Sequence, residues 1–181
     1  CRFRCAFCAD PAVFHRGWTG LLPERIADEI SFLHQRYGVE DVSFQDETFF
    51  THTLRVNALA DELLTRNLDI TWTATLRADQ ACRLGEDLFE KTVRSGLRRV
   101  MVGVESGSQE MLDRLQKDMK LEQVRDTAAM CTRHGVGAIV KVVRDPCHRQ
   151  TSFAGEIRNR PRLLVGRRAI GIRPQRVHVR L

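Results

Sequence analysis

Three of the six cysteines fall within the first eight residues, as Cys1, Cys5 and Cys8, while Cys82, Cys131 and Cys147 are scattered singly. Crowding of this kind is ligand spacing rather than the framework of a disulfide-stapled domain. What three such thiolates could hold depends on the fourth donor. A structural zinc site normally takes four protein ligands, and His15, in a C-x3-C-x2-C-x6-H arrangement, could supply one, although that spacing is not the paired one of zinc knuckles or fingers. An iron–sulfur cube also normally takes four thiolates. With three, one iron keeps an open position at which a substrate or cofactor can coordinate directly. Cys131 lies at helical spacing from apolar neighbours and reads as a small buried hydrophobe.

The elements that would position these groups announce themselves by how they stop. Arg36-Tyr37-Gly38-Val39, Arg94-Ser95-Gly96-Leu97 and Arg133-His134-Gly135-Val136 share one pattern, and Arg66-Asn67-Leu68 puts Asn in the place of Gly. Gly and Asn tolerate the left-handed conformation that closes a helix, and Arg in the last turn suits the negative end of its dipole. Helical periodicity precedes each stop: Ile26, Ile30 and Leu33 after Pro23; Val56, Leu59, Ala60, Leu63 and Leu64; Leu84, Leu88 and Thr92; Leu121, Val124, Ala128 and Cys131, with a short extra helix over 109–115. A strand-like run follows each stop, over 41–44, 69–75, 98–104 and 137–143. Strands alternating with helices imply an α/β fold with parallel strands, either an open sheet or a full or partial (β/α) barrel.

In both architectures chemistry gathers at the C-terminal ends of the strands. Those ends carry Gln45-Asp46-Glu47-Thr48, Leu76-Arg77-Ala78-Asp79 and Glu105-Ser106-Gly107-Ser108. Acidic and Arg side chains at these places would face the thiolates.

Composition bounds the alternatives. With 181 residues, 43% apolar and 29% charged, the chain is one globular domain by the rule of about 150 residues each, and neither disordered nor collagen-like. No apolar run suits a membrane span or a secretory signal, so a soluble, cytoplasmic protein is expected. The net charge of +6 is misleading, because it is concentrated at one end: residues 1–140 hold 18 Lys and Arg against 21 Asp and Glu, and residues 141–181 hold 11 against 2. A basic groove in the main fold is therefore not expected. A zinc-stabilised nucleic-acid-binding module, using Cys1, Cys5, Cys8 and His15 with the basic tail, stands as the alternative reading.

Cys1-Arg2-Phe3-Arg4-Cys5-Ala6-Phe7-Cys8 resembles the C-x3-C-x-aromatic-C signature of the radical S-adenosylmethionine (radical SAM) superfamily. Phe44 to Thr48, Arg77, and Gly103 to Ser108 are similar to the strand-end segments of its members, particularly those with an N-terminal cobalamin-binding domain. The resemblance runs to about residue 140. It implies a partial (β/α)6 barrel of the radical SAM type, with a 4Fe-4S cluster on Cys1, Cys5 and Cys8. S-adenosylmethionine would chelate the open iron, and reductive cleavage would release methionine and a 5′-deoxyadenosyl radical that abstracts hydrogen from a small-molecule substrate, in methylation or a related reaction. The protein orients the cofactor and excludes water.

Roles carried over by the resemblance put Phe7 beside the adenine, Asp46 and Glu47 at the methionine amino group, Arg77 on its carboxylate, and Glu105, with Ser106, at the ribose hydroxyls. Flavodoxin or ferredoxin would donate electrons, and cobalamin, where used, would sit in an upstream domain. Two departures from the family pattern are expected: the first strand, before Cys1, is absent, and the last is missing. Residues 1–140 thus form the core. Residues 141–181, in which Arg supplies ten of the eleven basic residues, read as an irregular tail, with the composition of a G+C-rich coding sequence translated out of frame.

Overall fold

A computed structural model describes residues 1–142 and Arg176–Val179. Its framework is a set of helices that end where the sequence says they should. α1 (Asp10–Val13) is a single turn after the cysteine loop. α2 (Pro23–Tyr37) starts on a proline, which lacks only a donor the first turn leaves free anyway, buries Ile26, Ala27 and Ile30, and closes on Gly38 at φ 65°. α3 (Thr53–Arg66) buries Val56, Leu59, Ala60 and Leu63, and closes on Asn67 at φ 48°. Gly96 and Gly135 take φ 112° and 68° after the later helices. All four expected stops are therefore left-handed.

One expected helix is two. Leu84 belongs to α4 (Ala78–Leu84), and Leu88 and Thr92 belong to α5 (Glu86–Arg94). Gly85, at φ 77° and ψ 165°, separates them, a conformation glycine adopts without Cβ strain, and the acidic Glu86 and Asp87 then open a new helix at its positive end. α6 (Gln109–Arg114) and α7 (Leu121–Arg133) complete the set.

The strands β1 (Asp41–Phe44), β2 (Thr71–Leu76), β3 (Leu97–Glu105) and β4 (Gly137–Val142) are all parallel neighbours in sequence order. The α/β fold expected of a partial barrel is what forms. β5 (Arg176–Val179) extends the sheet beyond β1, pairing in parallel from Asp41↔Arg176 to Phe44↔Val179, so the order is β4-β3-β2-β1-β5. Residues Arg176–Val179 of the basic tail thus form a regular strand. Val177 and Val179 alternate in them, a β-branched pattern that suits a pleated strand. Cys147 and the Arg167-Arg168 pair lie outside the described residues.

Burial along β2 and β3 alternates, with Trp72, Ala74 and Leu76 on one and Val100, Val102 and Val104 on the other inside the core. Trp72 packs edge-on against Phe44, with centroids 5.7 Å apart, and its Nε1–H donates to the Ser95 carbonyl at 3.1 Å. Gly96 makes that turn possible. A Cβ there would stand 2.5 Å from the Ile70 carbonyl oxygen. No helix among the described residues is long and apolar enough to cross a membrane.

Candidate metal centre

Residues 1–8 have no regular structure of their own, so what holds them must come from elsewhere. The loop is braced against the segment that follows α6. The Ala6 N–H donates to the Leu115 carbonyl at 2.9 Å, and Arg4 forms a two-point ion pair with Asp118, Nε to Oδ2 at 3.0 Å and Nη2 to Oδ1 at 3.2 Å. The pair is exposed, and it pulls the Asp118 carboxyl below its ordinary range through the Arg4 hydrogen bond. Gln116 and Asp118 both take φ 50°, which folds residues 115–118 into a tight strap. Within the loop the Cys8 N–H donates to the Cys5 carbonyl at 3.1 Å.

Cys5 is buried and Cys1 and Cys8 are half-buried. Arg77, at the end of β2, reaches Cys5: its Nη1 donates to Sγ at 3.6 Å. The same guanidinium donates from Nε to Asp79 Oδ1 at 2.9 Å and from Nη2 to the Lys117 carbonyl at 2.6 Å, and its Cζ lies 3.5 Å from the centroid of the Phe3 ring. All three nitrogens of Arg77 thus have protein partners. The strand-end rule located the residue, and long-range folding chose its partners.

Glu105 ends β3 at φ 69°, and its Oε1 accepts from Lys117 Nζ at 3.0 Å. The Lys117 ammonium also stands 5.5 Å from the centroid of Phe7, which is 49% exposed. Thus Arg77, Glu105 and Phe7 share Lys117 as a neighbour, and Cys5 joins them through Arg77. Ser106 is engaged locally, its Oγ accepting from the Ser108 N–H at 3.1 Å. Asp46 lies at the end of β1, where its carbonyl accepts from Thr75 Oγ1. Burial raises its carboxyl pKa, against the opposing pull of Arg55. Glu47 is exposed beside it.

Lys117 and Asp118 lie outside the strand-end and cysteine motifs, Phe3 and Arg4 carry no expected role within theirs, and Asp79 is a strand-end residue whose tie to Arg77 the motif does not show. Only the position of Lys117 just past α6, the helix that follows the Glu105-Ser106-Gly107-Ser108 motif, could have drawn notice, and nothing local shows that it turns back to Glu105.

The chemistry of the donor set fits an anionic iron–sulfur cluster. Three thiols share one loop, and a guanidinium, which never loses its charge in proteins, touches the buried one. Among the described residues no three His, Cys, Asp or Glu side chains stand close enough to hold a metal ion. His15, the proposed zinc ligand of the alternative reading, is exposed.

This is a parallel α/β sheet with a triple-cysteine loop over the ends of its strands, and residues 1–144 match the model of the Radical SAM superfamily. The chain belongs to that superfamily. It is 30% identical over 139 residues to an uncharacterized methyltransferase of Pyrococcus horikoshii, covering 77% of this chain and 30% of the relative. It is 24% identical over 145 residues to an anaerobic magnesium-protoporphyrin IX monomethyl ester cyclase of Synechocystis, covering 80% and 29%. Among solved structures, the fold is similar to that of the cobalamin-dependent S-adenosylmethionine radical enzyme OxsB, with aqua-cobalamin and S-adenosylmethionine bound, at a TM-score of 0.62, 21% identity and coverage of 70% and 20%. It is likewise similar to the radical S-adenosylmethionine methyltransferase TsrM of Kitasatospora setae, with cobalamin and a [4Fe-4S] cluster bound, at 0.65, 17% identity and coverage of 78% and 29%. The chain thus spans less than a third of the length of the curated relatives it matches.

Proposed function

We propose that this chain is the cluster-bearing part of a radical SAM enzyme that acts on a small molecule in the cytoplasm, as a cobalamin-dependent methyltransferase or a related radical enzyme. The observation that carries the reading is the triple-cysteine loop laid over the strand ends with Arg77 against Cys5. Cys1, Cys5 and Cys8 would hold a 4Fe-4S cluster, which would supply the electron that cleaves S-adenosylmethionine.

The chain's own residues bind and orient. Phe7, exposed at the edge of the loop, offers a face for the adenine. Asp46 and Glu47 lie just beyond the end of β1, and their carboxylates would meet the methionine ammonium. Glu105 has one oxygen on Lys117, and among the described residues the other has no partner, which suits a ribose hydroxyl. Ser106 stands next to it. Cobalamin would be carried outside the residues described. A flavodoxin or ferredoxin, both acidic one-electron donors, would find Arg2, Arg4, Arg16 and Arg83 around an open cleft of about 500 Å³ beside the cysteine loop, with Asp79 and Asp118 between them.

The test is anaerobic reconstitution with iron and sulfide. Wild-type chain should bind close to four irons, colour accordingly, and form 5′-deoxyadenosine when reduced with S-adenosylmethionine. Replacing Cys1, Cys5 and Cys8 by Ala should abolish iron binding. Colourless protein holding a single zinc, or an alanine variant with undiminished iron, overturns the reading.

A further inference from the structure

A guanidinium recognises a carboxylate through one whole edge, two parallel N–H groups on two oxygens. Neither usable edge of Arg77 is whole. Nε is given to Asp79 and Nη2 to the Lys117 carbonyl, while Nη1 points to Cys5, so each edge is divided between acceptors on different elements. One face is covered by Phe3, and the residue is 6% exposed. Asp79 does not cancel the charge, because its second oxygen is held by Arg83 Nη2 at 2.6 Å, and the trio keeps a net positive charge.

We propose that Arg77 is a positioning residue of the metal loop: it locks Cys5 to the 115–118 strap and keeps a fixed positive charge at the Cys5 sulfur, and it is not a carboxylate partner of S-adenosylmethionine. The inference rests on the assignment of Cys5 as a cluster ligand. Hydrogen bonds to ligand sulfurs and nearby charge set the potential of iron–sulfur centres. A cation here makes the reduced state easier to reach. The guanidinium also connects three parts of the chain that are distant in sequence, Cys5, Lys117 and the first turn of α4, so its loss should free the loop as well.

The test uses the full chain as wild type, Arg77→Met and Arg77→Lys. In the metal-free proteins, amide hydrogen exchange is read over residues 3–8, where Ala6 is bonded to Leu115. Both variants should exchange about tenfold faster there, the factor expected for one lost charge-assisted hydrogen bond, with exchange in α2 and α3 unchanged. After anaerobic reconstitution, the midpoint potential of Arg77→Met should move negative, and Arg77→Lys should bring it back towards wild type. The KM for S-adenosylmethionine should stay within about twofold in Arg77→Lys, since no recognition fork was present to lose.

A tenfold rise in that KM, with exchange and potential unmoved, overturns the proposal and puts Arg77 on the carboxylate. Should Arg77→Met fail to fold, Arg77→Lys with the exchange measurement decides alone: faster exchange supports the clamp and wild-type exchange refutes it. A wild-type chain that takes up no iron would sink the cluster assignment and with it the potential at Cys5. The exchange data would still decide whether Arg77 seats the loop.

Discussion

Lys117→Met tests whether the site is built around a nearly dry ion pair. The side chains of Lys117 and Glu105 are 7% and 13% exposed, with Nζ and Oε1 3.0 Å apart. Removing one partner of a buried pair costs about 3–5 kcal/mol, because the survivor's charge is left without compensation. Glu105 retains some access to water, which favours the low end, about 3 kcal/mol. Methionine keeps the apolar stem beside Phe7, and the bond from Arg77 goes to the Lys117 backbone, so neither packing nor strap is lost with the charge. At about 2–4 °C per kcal/mol for a chain of this size, the melting temperature should fall by about 6–12 °C. Urea unfolding followed by circular dichroism measures the change directly. A cycle with Glu105→Leu separates the pair from its parts: the double variant, lacking both charges, should recover most of the loss. Gly103 supplies an independent probe, because a Cβ there would lie 2.9 Å from Glu105 Oε1 and 3.3 Å from Lys117 Nζ. A Lys117→Met protein within about 0.5 kcal/mol of wild type, or a coupling near zero, would refute the reasoning.

Two further expectations follow from the core. Gly96→Ala places a methyl group 2.5 Å from the Ile70 carbonyl at φ 112°, so a loss of about 3 kcal/mol or more is expected, seen as insoluble or unfolded protein in expression and circular dichroism. Burial pushes the Cys131 thiol up to about 11, so the folded state favours its neutral form: stability from this group is whole below the unfolded thiol's pKa of about 9 and declines between about pH 9 and 11. The stability of wild type should fall by about 2 kcal/mol more than that of Cys131→Ala across that window, and equal slopes would contradict the burial argument.

What the sequence made legible was local. The positive φ at Gly38, Asn67, Gly96 and Gly135 is the direct requirement of a chain that leaves a helix and turns into a strand, and the residue types say so. β1 was read to the residue because charge and loop residues bound it on both sides. Gly85 was missed as a divider because a lone glycine within helical periodicity is tolerated, and only its ψ of 165° makes it a break. Arg176–Val179 were missed because four residues are too few to stand out against an Arg-rich background.

The site divides in the same way. A cysteine triplet within eight residues is visible because its spacing is its information. The contacts that seat it connect positions far apart: Arg4 to Asp118, Ala6 to Leu115, Cys5 to Arg77 and Glu105 to Lys117. Strand-end reasoning finds the face on which Arg77 and Glu105 emerge, because topology alone decides that. Which partner each takes depends on the backbone of residues 115–118, where Gln116 and Asp118 adopt left-handed φ that their residue types only weakly favour. Those two angles turn the Lys117 carbonyl towards Arg77 while its ammonium reaches Glu105. The cysteine loop and the strand ends thus become one unit through a residue that carries no motif of its own.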